Sequence, residues 1–119
     1  MMETDHALPL SPTQAEQLAH ACAAYRSYAW QQLPPTQERN HLMKMAQAVQ
    51  GRLLETQAAQ TAAPVLRLTS EERQALRVII SVLMQVYGLQ SPSVARNRWL
   101  GDLAALRILF ERSRHNQAS

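Results

Sequence analysis

Residues 68–88 read LTSEERQALRVIISVLMQVYG, and this stretch decides the fold class. Thr69 followed three residues later by Glu72 is a helix N-cap with the side chain that reaches back to it, and Leu68 in front can staple onto the first turn. Glu71 and Glu72 place negative charge where the helix dipole is positive. Leu76, Ile79, Leu83 and Val86 then recur at the spacing of one helical face. The spacing predicts a helix to Tyr87, with Gly88 placed as its C-terminal cap. Only Arg73, Arg77, Ser81 and Gln85 form a polar line, because Val78 and Val82 add apolar surface outside the main stripe. A helix that is apolar around most of its circumference is either central in a bundle or covered by another chain.

The same opening occurs earlier. In SPTQAEQL, Ser11 caps, Pro12 takes the first helical position and Gln14 completes the capping box. Leu18, Cys22, Tyr25 and Ala29 follow at helical spacing as far as Leu33, where Pro34-Pro35 must end the helix for want of N–H donors. A second helix is expected from Thr36 to about Ala59, with Leu42, Ala46, Val49 and Leu53 as its stripe. A fourth starts at Ser91 or Pro92 and runs to about Arg112 on Trp99, Leu103, Leu106 and Phe110.

Residues 35–53 laid on residues 92–110 align Pro35 with Pro92, Arg39 with Arg96, Asn40 with Asn97 and each stripe residue with a stripe residue. The expected architecture is therefore all-α: a four-helix bundle made of two tandem αα-hairpins, as an internal duplication would leave. One domain spans 11–113, with hairpins at 11–59 and 69–113 and a crossover at 60–68. Residues 1–10 read as an N-terminal tail and 114–119 as a frayed C-terminal one.

Composition agrees with this class. The 119 residues include eighteen Ala, sixteen Leu and thirteen Gln against six Val and three Ile, which favours helix over sheet. One cysteine excludes an internal disulfide and any multi-cysteine zinc site. No apolar run is long enough to span a bilayer, and the N-terminus lacks the basic start and apolar core of a secretion signal, so a cytoplasmic location is expected. The net charge of +3 arises in residues 96–114, where five arginines meet two acids. That excess is thinner than the basic footprint usual for nucleic acid.

Catalytic and metal chemistries find few residues here. Glu38 and His41 form one Glu-x-x-His of the di-iron pattern carried by four-helix bundles, but the repeat partner offers Ala95 and Arg98 instead. His20 and Cys22, two residues apart, point to different sides of a helix. Cys22 lies on the apolar stripe and reads as a buried thiol. The chain has no glycine-rich phosphate loop, nucleophile elbow or His-Glu-x-x-His. No enzyme activity, cofactor or metal is expected.

Two binding readings remain. Val78, Val82, Leu89, Leu100 and Ile108 exceed what one small core needs, and Ile108 shares its face with Gly101 and Ala105. They are candidate interface residues for a protein partner, most simply a second copy in a homodimer. The expected function is thus a non-catalytic helical interaction module: an adaptor, scaffold or small assembly subunit, not membrane-bound. The alternative is a nucleic-acid-associated protein. Residues 88–100, GLQSPSVARNRWL, resemble the turn and recognition helix of helix-turn-helix DNA-binding proteins. That resemblance implies DNA contacts from Gln90, Ser93, Arg96 and Arg98. Met84 and Asn97 depart from the family's small and apolar preferences. Arg39-Asn40 and Arg96-Asn97 read either as structural caps on neighbouring helix carbonyls or as a paired anion site.

Overall fold

A computed structural model of the protein describes residues 6–58 and 65–118, with side chains at 7–56 and 65–111. The order is β1 (His6–Pro9), α1 (Pro12–Gln32), α2 (Gln37–Ala58), β2 (Val65–Leu68), α3 (Ser70–Gly88) and α4 (Val94–Ala118). Four helices form the bundle, and the two short strands pair antiparallel beside it. Both expected capping boxes are present: Gln14 N–H donates to Ser11 Oγ at 3.0 Å and Glu72 N–H to Thr69 Oγ1 at 3.1 Å.

The ribbon corrects the sequence reading at two places. Residues 6–10 of the expected tail include a strand, and the end of the 60–68 link is a strand as well; residues 1–5 and 59–64 lie outside the described residues. Leu8 and Leu10 in the first segment and Leu66 and Leu68 in the second are buried in the common core. Their neighbours Ala7, Pro9, Val65 and Arg67 are exposed. Alternation of this kind is what a strand with one packed face requires. The short motif Leu-x-Leu before α1 and before α3 carries the signal, but four residues are too few to outweigh a helical composition.

The register of the ribbon relates the two halves. The offset that lays Leu8 on Leu66 also lays Leu10 on Leu68, Ser11 on Thr69 and Gln14 on Glu72. A two-fold axis through the Leu8–Leu66 pair also relates the pairing of Ala7 with Arg67 to that of Pro9 with Val65. Those are the observed partners. The repeated caps and this register share one approximate two-fold relation.

α3 occupies the middle, touching α1, α2, α4 and β2. Leu76, Ile79, Ile80 and Leu83 are fully buried along it, against Leu18, Cys22 and Tyr25 of α1, Val49 and Leu53 of α2, and Leu103, Leu106 and Phe110 of α4 in the same core cluster. Each such side chain contributes roughly 1.5–3 kcal/mol of transfer free energy. The central position explains much of the apolar surplus on α3, because Val78 and Val82 are half-buried and pack on that cluster. Arg73, expected to face solvent, is also half-buried and donates Nη2 to the Phe110 carbonyl at 2.8 Å.

Three boundaries differ from expectation. Gly88 is the last residue of α3 and lies outside the left-handed region, so it is no left-handed cap. The last turn tightens instead, with Leu89 N–H bonding Val86 O and Gln90 N–H bonding Tyr87 O. α4 starts at Val94, two or three residues later than read, because Ser93 takes the cap with its hydroxyl on Arg96 N–H. Its backbone stays helical to Ala118, where residues 114–119 were expected to fray.

Candidate functional site

Both interhelical turns carry the same arginine clamp. Arg39 donates Nη1 to the Leu33 carbonyl at 3.2 Å and Nη2 to Asn40 Oδ1 at 2.9 Å. Arg96 donates Nη1 to the carbonyls of Tyr87, Gly88 and Gln90 at 3.2–3.4 Å and Nη2 to Asn97 Oδ1 at 2.9 Å. Each guanidinium thus closes the C-terminal carbonyls of the preceding helix, which lack intrahelical donors. The Arg39 guanidinium also lies 5.5 Å from the ring centroid of the exposed Trp30.

Of the four candidate nucleic-acid contacts, Ser93 and Arg96 are thus engaged within the turn, while the Gln90 and Arg98 side chains are exposed. Arg112 and Arg114 lie outside the described side chains. A two-stranded ribbon is itself an element that a DNA major groove admits, and its base readers are polar. Here Ala7, Pro9, Val65 and Arg67 face outward, and only Arg67 has base-reading chemistry.

The candidate interface residues do not form one patch. Val78 and Val82 line a groove of about 270 Å³ between α3 and α4, rimmed by Arg77, Arg107 and Glu111. Ile108, next to Arg107, is 48% exposed, and Leu100 is half-buried. Gly101 and Ala105 are exposed on α4, and a Cβ built on Gly101 would meet nothing within 4 Å. Leu89 is separate. It lies about 10 Å beyond Val82 along α3 at 1.5 Å per residue, in the α3–α4 turn near the equally exposed Val94.

A second groove, of about 660 Å³, runs between α1 and α4. The His20 ring stands edge-on to Trp99 with centroids 4.5 Å apart, and Tyr87 meets the same indole edge-on at 6.0 Å. Gln17 Nε2 donates to Asp102 Oδ1 at 3.1 Å, tying the two helices together. The Trp99 indole N–H is sealed from water and has no acceptor among the described residues, unlike most buried indoles. Sequence pattern alone puts Trp99 on the core stripe and says nothing of this groove, because His20 and Asp102 come together only when α1 and α4 pack.

Trp99→Phe is therefore expected to stay within about 1 kcal/mol of the parent stability. It removes an unpaired buried donor, which offsets the lost ring area. Urea midpoints for the two proteins check this, and a loss above about 3 kcal/mol would mean that the N–H is satisfied after all.

The thiol of Cys22 is held in its protonated form at neutral pH. It is fully buried, and burial pushes its pKa up to about 12, with Arg26 only partly opposing. Glu38 is exposed, while His41 Nε2 lies 3.4 Å from Glu71 Oε1 on α3. Among the described residues no group of three or more His, Cys, Asp or Glu is placed to hold a metal ion. No described helix is long and apolar enough to cross a membrane. Comparison with protein-family models, curated proteins and solved structures finds no match, so the role of this chain rests on its own residues.

Proposed function

We propose that this protein is a non-catalytic helical interaction module that pairs with a second copy of itself through the outer faces of α3 and α4. The observation that carries the reading is the uncovered face of α4, where Gly101, Ala105 and Ile108 are all exposed. A glycine inside an exposed helix costs about 1 kcal/mol relative to alanine. No contact among the described residues requires a glycine at 101, since the space above it is open. Small residues of this kind let a second helix approach closely, and Ile108 supplies apolar contact beside them. Arg107 and Glu111 sit 4.0 Å apart on the same helix, so each can exchange its partner for the opposite charge of a two-fold related copy.

Sedimentation and light scattering across a concentration series test this. A concentration-dependent dimer is expected, with little dependence on salt. Ile108→Arg and Gly101→Arg should weaken it at least tenfold while leaving the helical signal intact. Val82→Glu should weaken it as well, but Val82 packs on the core, so the two α4 variants are decisive. A parent protein that remains monomeric at about 0.5 mM overturns the proposal. The nucleic-acid reading predicts instead a gel shift that fades steeply with salt and is reduced by Arg98→Ala.

A further inference from the structure

The groove between α1 and α4 is lined by charges of both signs together with the rings of His20 and Trp99. We propose that it binds a free α-amino acid with an apolar side chain. Glu16 from α1 and Asp102 from α4 bring two carboxylates to the one groove. Arg98 lines the same groove, one helical turn before Asp102. Neither Glu16 nor Arg98 has an ion pair or hydrogen bond among the described residues, and Asp102 uses one oxygen to accept from Gln17. Trp99, braced by His20 and Tyr87, and the 87% exposed Val94 supply the apolar part.

A zwitterion suits these groups together, where a singly charged ligand suits only some of them. Its ammonium takes the Glu16 and Asp102 carboxylates, with the indole face adding cation–π attraction. Its carboxylate takes the Arg98 guanidinium, whose planar fork matches two oxygens. Its side chain lies against Trp99 and Val94. An amine without a carboxylate leaves Arg98 unused, and an acid without an amine meets two like charges. The volume falls within the range of ordinary small-ligand sites. Because the groove is open, affinity is expected to be modest, with a dissociation constant on the order of 0.1–1 mM for about a dozen ligand atoms. Ligand binding is read at Trp99 and self-association by sedimentation, so the two readings fail separately.

Trp99 itself reports the test. The chain has two tryptophans, and Trp30→Phe leaves Trp99 as the sole indole, excited selectively over the three tyrosines at the red edge of absorption. Titration of this variant with L-phenylalanine is expected to give a saturable change in emission. Phenethylamine and 3-phenylpropionate, which each carry one of the two charges, should bind at least tenfold more weakly. Asp102→Asn keeps an acceptor for Gln17 and should weaken binding at least tenfold, as should Arg98→Ala at its exposed position. Thermal melts of both variants should match the parent. No saturable response up to about 10 mM overturns the inference, as does equal binding of phenethylamine or a response that survives both substitutions.

Discussion

Leu8→Ala is expected to lower the unfolding free energy by about 2–4 kcal/mol, the range for a large side chain removed from a closed core. Leu8 is 3% exposed in a segment whose sequence reads as a tail, so an effect of that size separates the two descriptions. A two-stranded ribbon of four residues per strand has little stability of its own in water. Here the leucines hold it, because they are buried in the core that the helices share. Leu66→Ala should cost a similar amount. Because Leu8 and Leu66 lie directly opposite each other, the double variant should depart from additivity by about 0.5 kcal/mol or more. Val65→Thr on the outward face should change stability by no more than about 0.5 kcal/mol. Urea unfolding followed by circular dichroism measures all four proteins. A Leu8→Ala cost below about 0.5 kcal/mol would show that the ribbon is not part of the cooperative fold.

Arg52→Ala is the second large effect, expected at about 2–3 kcal/mol. Glu72 is a buried carboxylate, with its side chain 6% exposed, and it ties three elements together. It accepts from the Thr69 N–H at 2.9 Å and from Arg52 Nη1 at 2.7 Å, while Arg52 also donates to the Arg67 backbone carbonyl of β2 at 3.0 Å. Removing the arginine leaves a charge in the interior without its counter-ion, the costly way to break such a pair. Arg52 is itself 41% exposed, so solvent relieves part of the loss and the value stays below that of a fully buried pair. Glu72→Gln should cost less, about 1–2 kcal/mol. Glutamine keeps the capping bond, as Gln14 does for Ser11 in the first hairpin, and the released guanidinium can turn to water.

Acid titration gives the same pair a sign. Burial raises the Glu72 pKa, but the Arg52 hydrogen bond, the Thr69 backbone amide and the arginine charge outweigh it and hold the carboxyl below its ordinary 4.5. A carboxyl with a depressed folded pKa stabilises the fold above its unfolded pKa and loses that contribution as pH falls through the folded value. The stability gap between parent and Glu72→Gln should therefore be constant from about pH 7 to 5 and shrink below about 4.5. A gap that widens on acidification would contradict the assignment.

Sequence by itself determined the helices, because their signals are local. A capping box spans four residues, a proline pair stops a helix wherever it lies, and an apolar stripe repeats within each turn. Ser11, Thr69, Pro34 and the stripes of all four helices are therefore legible without coordinates. Tertiary structure alone decided what depends on residues far apart in the chain. Leu8 becomes core only when Leu66 pairs with it. The carboxyl of Glu72 is neutralised only when α2 brings Arg52 across. His20, Trp99 and Asp102 share a groove only because α1 packs on α4. Short strands and mixed polar grooves have too little local pattern to announce themselves, since their stabilising contacts are made across the fold and not along the chain.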